Sequence, residues 1–181
     1  MLKQKGYSLI ELMTTIAVAS VLITVALPGM QSFRLNSNMT GQVNELISAM
    51  HFARNTAITT NSRVTVCTSS NGDNCAPAAW DDGWIAFIDC DSDHSVDDGE
   101  TNMRVRSESD NMTIASGQYP TFLMYRPNGR AMKNTVSENS GRFTFCDKRG
   151  ALHAKAIIVD LSGRPRVADN DTPGVTLSCG S

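Results

Sequence analysis

The sequence predicts an α+β fold in which one long N-terminal helix packs on antiparallel β-sheets. Three observations carry this. An apolar stretch from Tyr7 to Leu27 is followed, as far as about Thr60, by apolar residues at helical spacing. After Asn61 the chain changes to short β-like runs between turn residues, and no second helical period follows. A length of 181 residues suits one domain with an appendage, and 41% apolar with 19% charged residues excludes a disordered or fibrous chain. The formal charge of −2 argues against a generally basic nucleic-acid binder, although a total says nothing about where charges lie.

The first element reads YSLIELMTTIAVASVLITVAL over residues 7–27, with Glu11 its only charge. A helix of that length rises about 30 Å, the thickness of a bilayer core. Lys3 and Lys5 precede it and the next basic residue is Arg34, which predicts a cytoplasmic N-terminal side and a body across the membrane. A cleaved secretory signal would need a shorter run and small residues after it, but this run ends in Leu27, Pro28 and Gly29. A plain membrane anchor leaves Glu11 unexplained, since an intramembrane carboxylate costs roughly 2.5–3.5 kcal/mol and calls for a partner. No Lys, Arg or His lies between Tyr7 and Phe33, so the partner comes from another chain or from a new amino terminus.

The segment KGYSLIELM, residues 5–13, resembles the class III prepilin signal of type IV pilins and type II secretion pseudopilins. The resemblance implies a leader at 1–6, cleavage after Gly6 by a prepilin peptidase, and methylation of the new amine on Tyr7. Tyr7 stands where Phe is usual, and Glu11 becomes the fifth mature residue. It implies further that Glu11 pairs with a neighbouring subunit's terminus during assembly.

Residues 7–28 are then a transmembrane and polymerisation helix, and 29–61 its amphipathic continuation beyond a kink expected at Pro28-Gly29. In the continuation Val43, Leu46, Ile47, Met50, Ala53, Ala57 and Ile58 form a core-facing stripe. His51 lies beside this stripe with no ligand partner nearby and reads as structural. Residues 62–181 form a β-rich globular domain with strands expected at 63–68, 83–89, 103–107, 112–116, 121–126, 142–146, 154–162 and 175–179. Asn71-Gly72, Asn128-Gly129 and Ser162-Gly163 supply turns.

Two stretches, WDDGWIAFIDCDSD from Trp80 and RFTFCDKRG…AKAIIVDLSGRPRV…C at the end, resemble minor pilins of the FimT/FimU type and the related GspH pseudopilin family. With the N-terminus the resemblance covers most of the chain, while segment 100–140 carries little of it. Five cysteines fit an exporting compartment and cannot all pair within one chain. The resemblance favours Cys67–Cys75 and Cys146–Cys179, leaving Cys90. No CxxC spacing supports a redox or zinc site.

No enzyme signature is present: GxSxG, HExxH and phosphate-loop patterns are lacking, and His51, His94 and His153 stand apart from any nucleophile motif. No cofactor is implied. Asp89, Asp91, Asp93, Asp97 and Glu100 fall at positions 1, 3, 5, 9 and 12 of an EF-hand-like spacing, with Val96 at the usual apolar position. His94 replaces the Gly needed for the sharp turn, and strands replace the flanking helices. The loop is therefore read first as solvated acidic chain, with calcium as the weaker alternative.

Segment 81–100 holds 8 acidic residues and no Lys or Arg, so the remainder of the chain carries +6. Gly163-Arg164-Pro165-Arg166 follows an apolar strand; Pro165 fixes φ, and extended chain sets both arginines on one side. Guanidinium groups so displayed suit phosphate, although an exposed turn with merely solubilising arginines has the same residues. GRPR resembles the C-terminal GRxR motif with which FimT-type minor pilins bind DNA in natural transformation. The resemblance implies Arg164 and Arg166 as the main contacts; Lys148, Arg149 and Lys155 are secondary candidates, and so few phosphate contacts predict weak, sequence-independent binding that is lost with salt. It implies other major and minor pilins as partners and a bacterial inner-membrane, single-pass location with a periplasmic body, later incorporated into the pilus. The alternatives are a minor pilin that primes assembly without DNA, and a type II secretion pseudopilin.

Overall fold

A computed structural model describes residues 6–97, 99–100, 102–107, 111–133, 140–170 and 172–179. Nearly all of the expected leader, with Lys3 and Lys5, lies outside the described residues, as do Asp98 and Asp171. The chain divides into compact units at 1–38 and 39–181.

Helix α1 runs Leu9–Thr60, and Pro28-Gly29 does not end it. In the first unit the helix presents its apolar side chains outward: Leu9, Ile10, Leu12, Met13, Ile16 and Val18 are all exposed. Its hydroxyls are satisfied within the helix, since Thr14, Thr15, Ser20 and Thr24 donate to the carbonyls of Glu11, Leu12, Ala17 and Val21. Such back-bonding removes the desolvation cost that free hydroxyls would meet in hydrocarbon.

In the second unit Met39, Val43, Leu46, Met50, Ala53 and Ala57 are fully buried, and Ile58 at the end of the stripe is exposed. They belong to the largest core cluster, which also takes in residues of two antiparallel sheets. Sheet A has the order β3-β2-β1-β5-β6, built from β1 (Val64–Thr68), β2 (Gly83–Ile88), β3 (Asn102–Ser107), β5 (Phe122–Tyr125) and β6 (Ala131–Met132). Sheet B has the order β4-β7-β8-β9, from β4 (Met112–Ala115), β7 (Gly141–Asp147), β8 (Lys155–Val159) and β9 (Pro165–Asp169). Val64, Val66, Ala86, Leu123 and Tyr125 of sheet A share this cluster with Ile114, Phe143, Phe145, Ile157 and Val159 of sheet B and with the α1 stripe. Trp80 sits among them, its indole N–H donating to Tyr119 O at 2.7 Å and its ring edge-on to Phe143.

Three differences from the sequence expectation bear on function. The run at 175–179 is not a strand: that edge of sheet B is β9, and the terminal segment instead crosses the outer face as a strap. Leu177 is buried there against Cys146, Ala154 and Ala156, and Leu177 N–H donates to Asn170 Oδ1 at 3.0 Å. The disulfide Cys146–Cys179 ties the strap down, and Cys67–Cys75 closes the loop after β1, leaving Cys90 exposed. Second, strand β8 stops at Val159, and the chain turns and returns as β9.

Third, the acidic loop is not simply solvated. Val96 packs with Phe122 on Ile85 and Phe87, covering the outer face of sheet A. Asp89 is fully buried and accepts from Thr65 Oγ1 at 2.6 Å and Ser92 N at 2.6 Å, with His94 Nδ1 at 3.2 Å. His94 in turn stacks on Phe122, ring centres 4.0 Å apart. Glu100 closes the loop by accepting from the backbone of Cys90 and Asp97.

Candidate functional site

The β8–β9 connection is built to hold two arginines outward. Val159 pairs with Pro165, and between them Asp160 organises the turn. Its Oδ1 accepts from Ser162 N at 2.9 Å, Ser162 Oγ at 2.6 Å and Arg164 N at 3.0 Å. Those bonds, the Ser162 hydroxyl foremost, together with the Arg164 charge hold the Asp160 carboxyl below its ordinary value despite partial burial. Gly163 N–H closes on Asp160 O at 2.9 Å.

Gly163 is required twice. Its φ is +76°, and a Cβ there would stand 2.1 Å from Gly129 O. Gly129 belongs to the β5–β6 turn, and Arg54 from α1 donates Nε–H to Gly129 O at 3.0 Å. A continuous brace therefore runs from the helix through Arg54 and Gly129 to the backbone beneath Arg164. Pro165 is buried while Arg164 and Arg166 on either side of it are exposed, the alternation expected of extended chain.

Sheet register sets a third arginine beside them. Arg142 pairs with Ile158, and Ile158 pairs with Arg166, so the three side chains share the outer face. Arg142 is exposed, and one guanidinium N–H donates to Thr176 O of the strap at 3.0 Å. The strap covers the outer face around Cys146 and Ala156 and leaves the Arg142–Arg166 end open. Arg142 is in the basic C-terminal segment of the sequence, but only strand pairing reveals its neighbour.

Lys148, Arg149 and Lys155 lie elsewhere. Lys155 pairs with Phe145 and Asp169, at the end of the sheet opposite Val159–Pro165, and Lys148 and Arg149 follow β7 at that same end. Arg149 grips the Asp147 carboxylate with Nε at 3.0 Å and Nη2 at 2.6 Å. Burial pushes the Asp147 carboxyl up, and Arg149, by hydrogen bonds and charge, more than reverses this and holds it below its ordinary value. Lys155 Nζ reaches Thr40 Oγ1 at 2.9 Å. Of the five basic candidates, the fold brings together Arg164 and Arg166 and sets the other three apart.

Of the acidic loop, Asp89, Asp91 and Asp93 each bring a carboxylate oxygen within 4.8 Å of the others. The Asp91 and Asp93 oxygens also accept from the backbone of Asp93 and Ser95, so the same groups that could face a cation shape the turn. Gly6, Tyr7 and Glu11 lie at the start of the described chain, with Glu11 in the first turn of α1 and without an ion-pair partner among the described residues.

The family model for the type II transport protein GspH matches residues 42–163, and that for the prokaryotic N-terminal methylation motif matches 1–27. No curated protein matches the chain. Among solved structures, the fold is similar to the type IV minor pilin FimU of Pseudomonas aeruginosa in two crystal forms. One gives TM-score 0.61 at 15% identity, over 82% of this chain and 99% of that one. The other gives 0.58 at 14% identity, over 78% and 99%. The minor pseudopilin EpsH of Vibrio cholerae gives TM-score 0.49 at 9% identity, over 76% and 99%.

Proposed function

The chain belongs to the GspH family, and from that premise we propose that it is a minor pilin of a type IV pilus that holds DNA on the outer face of sheet B through Arg164 and Arg166. Family membership makes it a structural pilin-like subunit rather than an enzyme. The family match ends at Gly163, so the DNA reading is argued from the turn itself. One observation carries it: two exposed guanidinium groups stand on a turn locked by the Asp160 carboxylate and braced through Gly163 and Gly129 to the central helix. Such preorganisation lowers the ordering cost of each phosphate contact. Few contacts without base readout give weak, sequence-independent, salt-sensitive binding.

The apolar helix and the methylation-motif match support membrane anchoring and filament assembly with other pilins. Within that frame the leader ends at Gly6, a prepilin peptidase frees Tyr7 for methylation, and Glu11 meets the terminus of a neighbouring subunit. The body then lies on the periplasmic side of the inner membrane before the subunit enters the pilus. Gly6→Val is expected to leave the precursor unprocessed, read by mass spectrometry of the purified chain.

The test is a mobility shift of duplex DNA by the full chain in detergent micelles. Arg164→Ala/Arg166→Ala is expected to lose the shift, and retention of parental binding would overturn the DNA role. A second reading, a secretion pseudopilin, draws on the type II transport description of the family. Deletion separates the two: loss of transformation with pili and secretion intact fits DNA capture, whereas loss of protein secretion alone fits the pseudopilin.

A further inference from the structure

We propose that Arg142 is a third phosphate contact and that duplex DNA crosses sheet B from β7 to β9, at the end set by Val159–Pro165. This rests on the DNA reading above and specifies its footprint. The pairing Arg142↔Ile158↔Arg166 places the two arginines two strand spacings apart, roughly 10 Å. Measured along the duplex axis, at about 3.4 Å per nucleotide of one strand, that separation spans about three base-pair steps. Arg164, two extended residues from Arg166, adds a position about 7 Å away along β9. The three charges thus form a corner that can meet several phosphates instead of a single point of attraction.

Two features argue for a duplex. The aromatic rings of this sheet, Phe143 and Phe145, are fully buried on the face opposite Arg142, so the patch offers charge without a stacking platform for single-stranded bases. Ile158, half-buried between Arg142 and Arg166, keeps the floor flat and uncharged. Arg142 is also held in place: its hydrogen bond to Thr176 O fixes the guanidinium against a strap anchored by Cys146–Cys179. Asp160, four residues before Arg164, turns its carboxylate into the loop.

The experiment measures fluorescence anisotropy of a mixed-sequence labelled duplex with the full chain in micelles, from about 50 to 200 mM salt. Arg142→Gln removes the charge while retaining a donor for Thr176. It is expected to weaken binding about tenfold at the low-salt end and to lower the log–log salt slope by about 0.9. Arg142→Lys is expected to keep the parental slope. Lys148→Gln removes the same charge at the far end of the sheet and is expected to change the slope little. Parental affinity and slope in Arg142→Gln, with binding lost in Arg164→Ala/Arg166→Ala, would overturn the footprint and leave the DNA reading standing. Equal effects of Arg142→Gln and Lys148→Gln would also overturn it, by showing net charge at work. Tighter binding to the single strand than to the duplex overturns the duplex assignment, and no DNA binding by the parent overturns both readings.

Discussion

The two ends of sheet B carry similar basic residues and use them differently. At one end Arg149 closes on the buried carboxylate of Asp147, and Lys155 pairs across from Asp169 while its ammonium reaches Thr40. There Arg149 and Lys155 are part of the fold, while Lys148 is an exposed charge. At the other end Arg142, Arg164 and Arg166 are exposed, and the nearby carboxylate, Asp160, is turned inward to make backbone bonds. There the fold is arranged around the cations. A charge that completes a buried pair acts on stability, and a charge that the scaffold only displays is left for a ligand.

The largest effect expected from disturbing this contrast lies in the strap. Cys146–Cys179 closes a loop with a sequence separation of 33. Chain entropy assigns that closure about 3–4 kcal/mol, so Cys146→Ser/Cys179→Ser is expected to lower the unfolding free energy by that much in chemical denaturation. The loss would fall first on Leu177 and the Arg142 anchor, and hydrogen exchange at Leu177 N–H reads it directly. If exchange there stayed as slow as in the parent, the strap would be held by packing alone.

Arg149→Gln comes next. It leaves the Asp147 carboxylate buried with a poorer partner, at a cost of about 2–4 kcal/mol in chemical denaturation. DNA affinity, measured where the variant is folded, is expected to stay within about twofold, because this charge is tied to Asp147 at the end of the sheet away from the proposed contacts. Arg166→Gln should show the reverse: parental stability and weakened binding. A variant of Arg149 that loses binding without losing stability would erase the distinction between the two ends.

Gly163→Ala is expected to act on both measures. The added Cβ meets the Gly129 carbonyl and forces a residue other than glycine to φ +76°. The combined strain is about 2–3 kcal/mol, and the turn that shifts to relieve it carries Arg164. Affinity should therefore fall although no charge is lost, and an unchanged affinity would mean that turn geometry does not matter to binding.

These contrasts also mark what could be read before the fold was known. The helix, its buried stripe from Val43 to Ala57, and the main strands were legible because apolar spacing reports local geometry. Strand β9 was hidden because Pro165 looks like a breaker, yet proline is tolerated as the first residue of an edge strand. The run VTLSC looked like a strand because Leu177 is buried, but burial under a disulfide-tethered strap gives the same apolar mark without a ladder. The EF-hand-like spacing of the acidic loop is visible in the sequence, whereas the hydrogen bonds through which Asp89 and Glu100 shape that loop are visible only in the fold. That Arg164 and Arg166 share one side of the chain is readable from adjacent residues; that Arg142 lies near Arg166 is not, because the two are 24 positions apart and only register joins them.

The smallest expected effect concerns Asp160, and its sign separates the turn's two requirements. Both Asp147 and Asp160 have carboxyls held below the ordinary value of 3.8. A depressed folded value means that the stabilisation is present above the unfolded value and is lost as pH falls through the depressed one. Acid should therefore loosen the β8–β9 turn below about pH 4, and Asp160→Asn should remove that part of the pH dependence. Asparagine keeps an oxygen for the Ser162 and Arg164 donors, so the loss at neutral pH is expected to be about 1 kcal/mol or less. It also removes a negative charge from beside Arg164, so DNA affinity at neutral pH should hold or rise slightly, by about twofold. Chemical denaturation between pH 3 and 7 and anisotropy at pH 7 check the two halves. A fall in affinity with stability intact would mean that the ionised carboxylate itself, and not only the hydrogen-bonded turn, is needed to aim Arg164.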